Sequence, residues 1–136
     1  MTKYCTQSFY GTVDGKTVLD SEDDVAHVKW GGSWRVPTYE EIKELLDNCS
    51  WTWTFQNGVT GYVVTSKFNG NSIFLPAAGY RWYEYVFYSG SNGDYWSVSL
   101  NEGYSDNANI LLFHSAYRYQ YYSSRNYGFS VRPVTE

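Results

Sequence analysis

After Lys67, the fifth lysine, the chain contains no more. The whole chain carries a net charge of -4, with a pI near 5.1. A surface that holds nucleic acid or anionic lipid needs dense positive charge, so neither partner is expected. No apolar run approaches the ~20 residues of a membrane span, so membrane insertion is not expected. The opening "MTKYCTQSFYGT" lacks the apolar segment of a signal peptide. A chain of this kind is expected to be cytosolic, exported by another route, carried on a virion, or a fragment. Cysteine is scarce: Cys5 and Cys49 have no CxxC partner. They are either a disulfide in an oxidising compartment or two buried or half-buried thiols. His27 and His114 stand far apart without a ligand pattern, so zinc is not expected. There is no Ser-His-Asp spacing, nucleophile elbow or phosphate loop. Glu84 and Glu102 are the one conceivable carboxylate pair, and loop carboxylates of this kind are usually solvated. The protein is therefore not expected to be an enzyme.

What is present is aromatic. Phe, Trp and Tyr make up 21% of the 136 residues, more than core packing usually requires. The length fits one domain, residues 1–136. Asp14-Gly15 between β-branched residues predicts a turn or short hairpin over 12–20. Ser21 followed by three acids predicts a short helix over about 22–29. "VPTYEEIKELLDNC" is the clearest helix. Thr38 and Glu41 form a capping box, and Ile42, Leu45, Leu46 and Cys49 repeat on one face. From Ser50 the period changes to 2. "WTWTF", "GYVVTS", "NSIFLP", "DYWSVSL", "NILLFHS" and "YGFSVRPV" read as strands, with Asn69-Gly70 as a hairpin turn. Residues 82–93, 101–108 and 116–126 show no clear period. Helices first, then an antiparallel sheet with long loops, is an α+β plan.

Tyrosine is unevenly placed. Residues 1–75 hold four tyrosines, and residues 76–136 hold eleven. "YRYQYYSSRNYGF", residues 117–129, contains five. Tyr offers a flat apolar ring, a hydroxyl and few torsions to freeze. With Ser, Asn and Gly it composes antibody paratopes, while lysine is depleted at interfaces. The second part of the chain thus reads as a surface that presents. In "NILLFHS" Leu111 and Phe113 share one face, and Ile110, Leu112 and His114 share the other. Either the trio points outward or the strand is covered on both sides.

"TKYCT", "YGTVDGKT", "DDVAHVKWGGSWRVPT", "NCSWTWTFQNGVTGYVVTSKFNGNSIFLPAAGYR", "GSNGDYWS" and "YGFSVRPV" together resemble the Fibrobacter succinogenes major paralogous domain. Its relatives include the variable proteins of diversity-generating retroelements. The resemblance covers nearly the whole chain. It implies a C-type-lectin-like fold related to formylglycine-generating enzyme, with scaffold 1–79, variable region 80–127 and terminal core strand 127–134. It implies a ligand-binding protein on a cell or virion surface, such as a phage tail fibre or adhesin. The implied partner is a protein or glycan on another cell or host surface, with homo-oligomerisation or fibre display as the implied settings. The alternative is a non-diversified adhesin or carbohydrate-binding module of the same fold.

In that family, errors are written at template adenines. An Asn codon so altered reaches Tyr, Ser, Asp, His, Thr, Ile, Phe, Leu, Val, Arg, Cys, Gly, Ala and Pro, but not Lys, Glu, Gln, Trp or Met. The resemblance thereby implies a ligand-binding set of Tyr83, Tyr85, Tyr88, Asp94, Tyr104, Asp106, Asn109, Ile110, Leu112, His114, Tyr117, Arg118, Tyr119, Tyr121, Tyr122, Asn126 and Tyr127. Trp82, Glu84, Glu102 and Gln120 lie outside the reachable set. Trp30, Trp34, Trp51, Trp53, Trp96, Phe129 and Val131 match family motifs and are expected in the core, with Arg132 as a structural hydrogen-bonding residue. Family members usually carry an upstream segment before "TKYC". The EPN, QPD and WND triplets of calcium-dependent lectins are missing, so no calcium or other cofactor is expected. The related enzyme's chemistry needs two late cysteines, and both cysteines here fall within the first 49 residues.

Overall fold

The capping box forms as its spacing predicts. In the computed structural model, which describes residues 1–136, Glu41 N–H donates to Thr38 Oγ1 at 3.2 Å and Thr38 N–H donates to Glu41 Oε2 at 2.8 Å. Helix α2 (Tyr39–Asn48) follows. Arg35 grips the same carboxylate with two nitrogens, each at 2.7 Å. That guanidinium, helped by the Thr38 N–H, holds Glu41 down at about 2. The preceding helix, α1 (Val25–Trp30), starts later than Ser21 suggests. Its cap is Asp24, buried, whose carboxylate accepts from the N–H groups of Ala26, His27 and Val36. An Asp that satisfies three donors at once outcompetes a solvent-facing serine for the cap position. Of the two readings of 12–20, the turn forms and the hairpin does not. Asp14 accepts from the Tyr4, Cys5 and Lys16 N–H groups, and Val18 makes a single bridge to Ser99.

The strands are antiparallel throughout. β1 (Cys49–Gln56), β2 (Val59–Ser66) and β3 (Ser72–Pro76) form one sheet in that order. A two-stranded ribbon pairs β4 (Tyr80–Trp82) with β5 (Tyr85–Phe87). The third sheet is β6 (Asn92–Leu100), β7 (Asn107–His114) and β8 (Tyr117–Ser124). The chain is thus α+β, with two short helices and antiparallel sheets. The expected terminal strand 127–134 is not a regular strand. It is an extended segment held by single bridges: Gly128 to Arg81, Ser130 to Tyr95 and Val134 to Arg35. Pro133 cannot donate to a ladder, and the segment changes partner every few residues.

The main core lies between α2, the first sheet and one face of the third. Ile42, Tyr62, Val64, Leu75, Tyr95, Leu111 and Phe113 are buried there. Trp51 and Trp53 are half-buried, and both meet Tyr62 and Phe113 edge-on. Tyr95 donates to the Pro76 carbonyl at 2.8 Å, and burial pushes its phenol up to about 12. Trp96, Phe129 and Val131 are half-buried. Trp30 and Trp34 depart from expectation, being 57% and 40% exposed. Trp30 is the last residue of α1 and Trp34 follows the turn in which Gly31 and Gly32 take φ of 66° and 57°, so both rings sit at the exposed end of the helix. Arg132 is also exposed, flanking an apolar crevice beside Tyr95 and Leu111. Cys5 and Cys49 are free thiols, the first buried and the second half-buried. No helix is long and apolar enough to cross a membrane.

Candidate functional site

The register of the third sheet decides which candidate residues meet. Asn92, His114 and Tyr117 form one cross-strand row, Asp94, Leu112 and Tyr119 the next, and Trp96, Ile110 and Tyr121 the third. Side chains alternate along each strand. These rows therefore share the face opposite the main core, and Tyr95, Leu111 and Phe113 face inward. Tyr62 fixes the end of this sheet. Its hydroxyl donates to the carbonyls of His114 and Ser115 at 3.0 and 3.2 Å, pinning the β7–β8 turn.

The two alternatives for the trio resolve residue by residue. Ile110 is 1% exposed and contributes no contact surface. The terminal segment explains this: Trp96 packs on Phe129 at 4.5 Å, and Ser130 bonds along β6, covering that end of the face. Leu112 and His114 are half-buried and remain at the surface. The His114 ring meets Tyr117 edge-on at 4.9 Å, and its Nδ1 accepts from Ala116 N–H.

Tyrosines line both sides of this face. On β8, Tyr119 meets Tyr121 at 6.0 Å, Tyr121 stacks on Tyr122 at 5.0 Å, and Tyr122 stacks on Tyr104 at 5.9 Å. The band wraps round the free edge of the sheet. It ends beside a groove of about 600 Å³ at the start of α2, lined in part by Ser99, Asn101, Glu102, Asn109, Tyr121 and Tyr122. The second band starts at Tyr80, a residue the sequence reasoning did not select. Its ring contacts Phe87, Tyr88, Tyr127 and Phe129. Trp82 extends this band to Tyr83 and Tyr127. Beside it a cleft of about 440 Å³ runs between Arg81, Trp82, Tyr83 and the 126–128 turn, with Asn126 on its wall. Tyr83, Tyr85 and Tyr88 are exposed on the β4–β5 ribbon, and Tyr83 is 79% exposed.

Several expected contact residues play other roles. Arg118 lies on the core-side face of β8, its guanidinium 5.6 Å from the Trp51 ring centroid. Asn109 Nδ2 donates to the Leu100 carbonyl across a register irregularity in β6, so its amide braces the sheet. Asp106 is exposed in the 101–106 loop. Its carbonyl accepts from Arg125 N–H and its carboxylate from Asn107 Nδ2. Gln120, outside the reachable set, donates to the Tyr39 carbonyl at 2.6 Å and ties β8 to α2.

Asp94 is the largest departure. The resemblance puts it in the ligand-binding set, yet it is 3% exposed, and its Oδ2 is buried without a hydrogen-bond partner. Burial alone pushes its carboxyl up to about 6. The clustered acids Asp20, Glu22 and Asp23 differ in kind. They are solvent-facing or half-buried and occupied by Lys3, Lys16 and the Tyr4 hydroxyl. No protein-family model, curated protein or solved structure matches the chain.

Proposed function

We propose that the protein is a ligand-binding module of C-type-lectin-like fold, with contact residues varied by a retroelement to recognise changing cell-surface or phage-host targets. The observation that carries the reading is backbone conformation under exposed tyrosine. Tyr83 and Tyr88 sit at φ of 53° and 55°. This left-handed region disfavours bulky side chains and favours Asn. Nothing about the backbone asks for Tyr at either position. An Asn template residue overwritten by mutation accounts for the mismatch. Tyr4 shares the conformation, but its hydroxyl is held by Asp23 and its ring is buried. The return of the terminal segment along β6 and back to Arg35 supports the lectin-like arrangement. Restoring Asn should relieve strain: Tyr83→Asn and Tyr88→Asn are each expected to raise unfolding free energy by about 0.5–1 kcal/mol in urea titrations. Equal or lower stability in both would remove this support.

The deciding experiment is deep sequencing of the locus across a population. Variation confined to adenine-derived codons in 80–127, with 1–79 constant, is the expected result. Uniform sequence overturns the retroelement reading. It would favour the second reading, a static carbohydrate-binding module, which rests on the groove where tyrosine rings meet Asn101, Glu102 and Asn109. Sugars stack on aromatic rings and bond to amides and carboxylates. On a glycan array or against cells, Tyr119→Ala combined with Tyr121→Ala should weaken binding at least tenfold. Unchanged binding would move the contact surface away from β8.

A further inference from the structure

Asp94 is a charged group placed where the fold gains nothing from it. Its carboxylate lies on the tyrosine face, in a row with half-buried Leu112 and Tyr119, which is 44% exposed. The row therefore runs from an unpartnered acid at its inner end to solvent at its outer end. On the inner side stands Tyr80, whose phenol is pushed up by burial and by the nearby Tyr88, Tyr127 and Asp94. An isolated carboxylate in such a setting is costly unless a donor meets it. Aromatic rings beside it present negative faces that attract cations.

Building on the binding-face reading above, we infer that Asp94, the nearby ring of Tyr80 and, across Leu112 at the outer end of the same row, the ring of Tyr119 form a subsite for an organic cation, an ammonium or guanidinium group carried by the ligand. The cation enters over Leu112 and meets the carboxylate, while the tyrosine rings replace part of its hydration shell. At neutral pH the carboxyl, at about 6, is mostly ionised and able to pair. The protein's own cations do not fill the place. Arg81 spends its Nε on the Tyr83 carbonyl, Arg118 lies over Trp51 on the opposite face, and Arg125 reaches Tyr4 and Ser105. His114, one row away, is the other titratable group on this face besides the tyrosines. A sugar hydroxyl could also bond Asp94, but it would need no charge, and an Asn side chain would serve it as well.

That difference sets the test. Amide chemical shifts of the full chain are followed by NMR at constant ionic strength and pH 7.5. The probes are tetramethylammonium, for a free amine, and Nα-acetyl-arginine-N-methylamide, for a peptide side chain. Nα-acetyl-glutamine-N-methylamide is the neutral control. Saturable shifts at Leu112 and Tyr119 with at least one cation, not with the control, are expected, and the tighter probe identifies the source. Asp94→Asn should weaken that binding at least tenfold, and Tyr119→Ala several-fold, with both variants folded by their spectra. No saturable shift, an equal response to the neutral control, or full affinity in Asp94→Asn overturns the assignment. The two readings fail separately. Cell or glycan binding that survives Asp94→Asn leaves the binding face standing without its cation. Cation binding at a locus of uniform sequence leaves the subsite standing without diversification.

Discussion

Phe113→Ala is expected to lower the unfolding free energy by about 4 kcal/mol, read as a shifted urea midpoint at unchanged slope. Phe113 is fully buried at the centre of the molecule. Its ring meets Tyr62 at 5.3 Å, Tyr95 at 5.8 Å, Trp51 at 6.2 Å and Trp53 at 6.4 Å. Those four rings belong to three strands whose ladders fix their backbones, so they cannot collapse into the space. Gly93 bounds the ring on β6, and any Cβ there would overlap Phe113. Glycine at 93 is thus required by the phenylalanine, and both stay conjoined. The loss also reaches function. Phe113 stands between Leu112 and His114 on β7, so loosening it lets the outer face shift. A loss under about 2 kcal/mol would mean that the tyrosine-rich sheet moves in to fill the void.

The parts of the molecule that sequence reading anticipates are those where local chemistry and tertiary packing agree. The Thr38 box, the Ile42 face of α2 and the β1–β3 meander are of that kind. Strand β8 falls in a stretch, 116–126, that reads without a clear period, although Tyr117, Tyr119 and Tyr121 alternate as a strand should. Tyrosine is both apolar and polar, so alternation with Arg and Gln raises no contrast in hydropathy. The three-residue strands β4 and β5 are too short for any period. For α1, Ser21 and Asp24 are both good caps, and only Val36 N–H, brought in from twelve residues later, decides for Asp24. The contact set was drawn from residue type along a stretch, and type does not report face. Arg118 and Asn109 belong to the set by type and to the scaffold by position. Tyr80 is the reverse case, a tyrosine at the seam between scaffold and face that organises the second aromatic band.

The burial of Asp94 has no local signature in "NGDYWS", and its cost is measurable. Its carboxyl stands at about 6 in the fold against an ordinary 3.8. As pH rises from 4, the unfolded chain ionises this group first, while the native state still holds its proton. The contribution of Asp94 is therefore neutral below about pH 4. It becomes destabilising as pH climbs towards 6, and is constant above. Full conversion of the shift sets a ceiling of about 3 kcal/mol. Asp94→Asn should accordingly raise stability by about 2 kcal/mol at pH 7.5, because the amide is also buried and incompletely bonded. At pH 4 the gain should shrink to a few tenths. Comparing variant with parent at each pH cancels Glu41, whose depressed carboxyl stabilises above about 4.5 and loses that effect as pH falls towards 2. It likewise cancels the phenol of Tyr80, which lies near Asp94 in both proteins. A pH-independent difference would show that water or a moved side chain already satisfies the carboxylate. A gain in stability at neutral pH that coincides with lost cation affinity would show a group held against the interest of the fold, as binding residues often are.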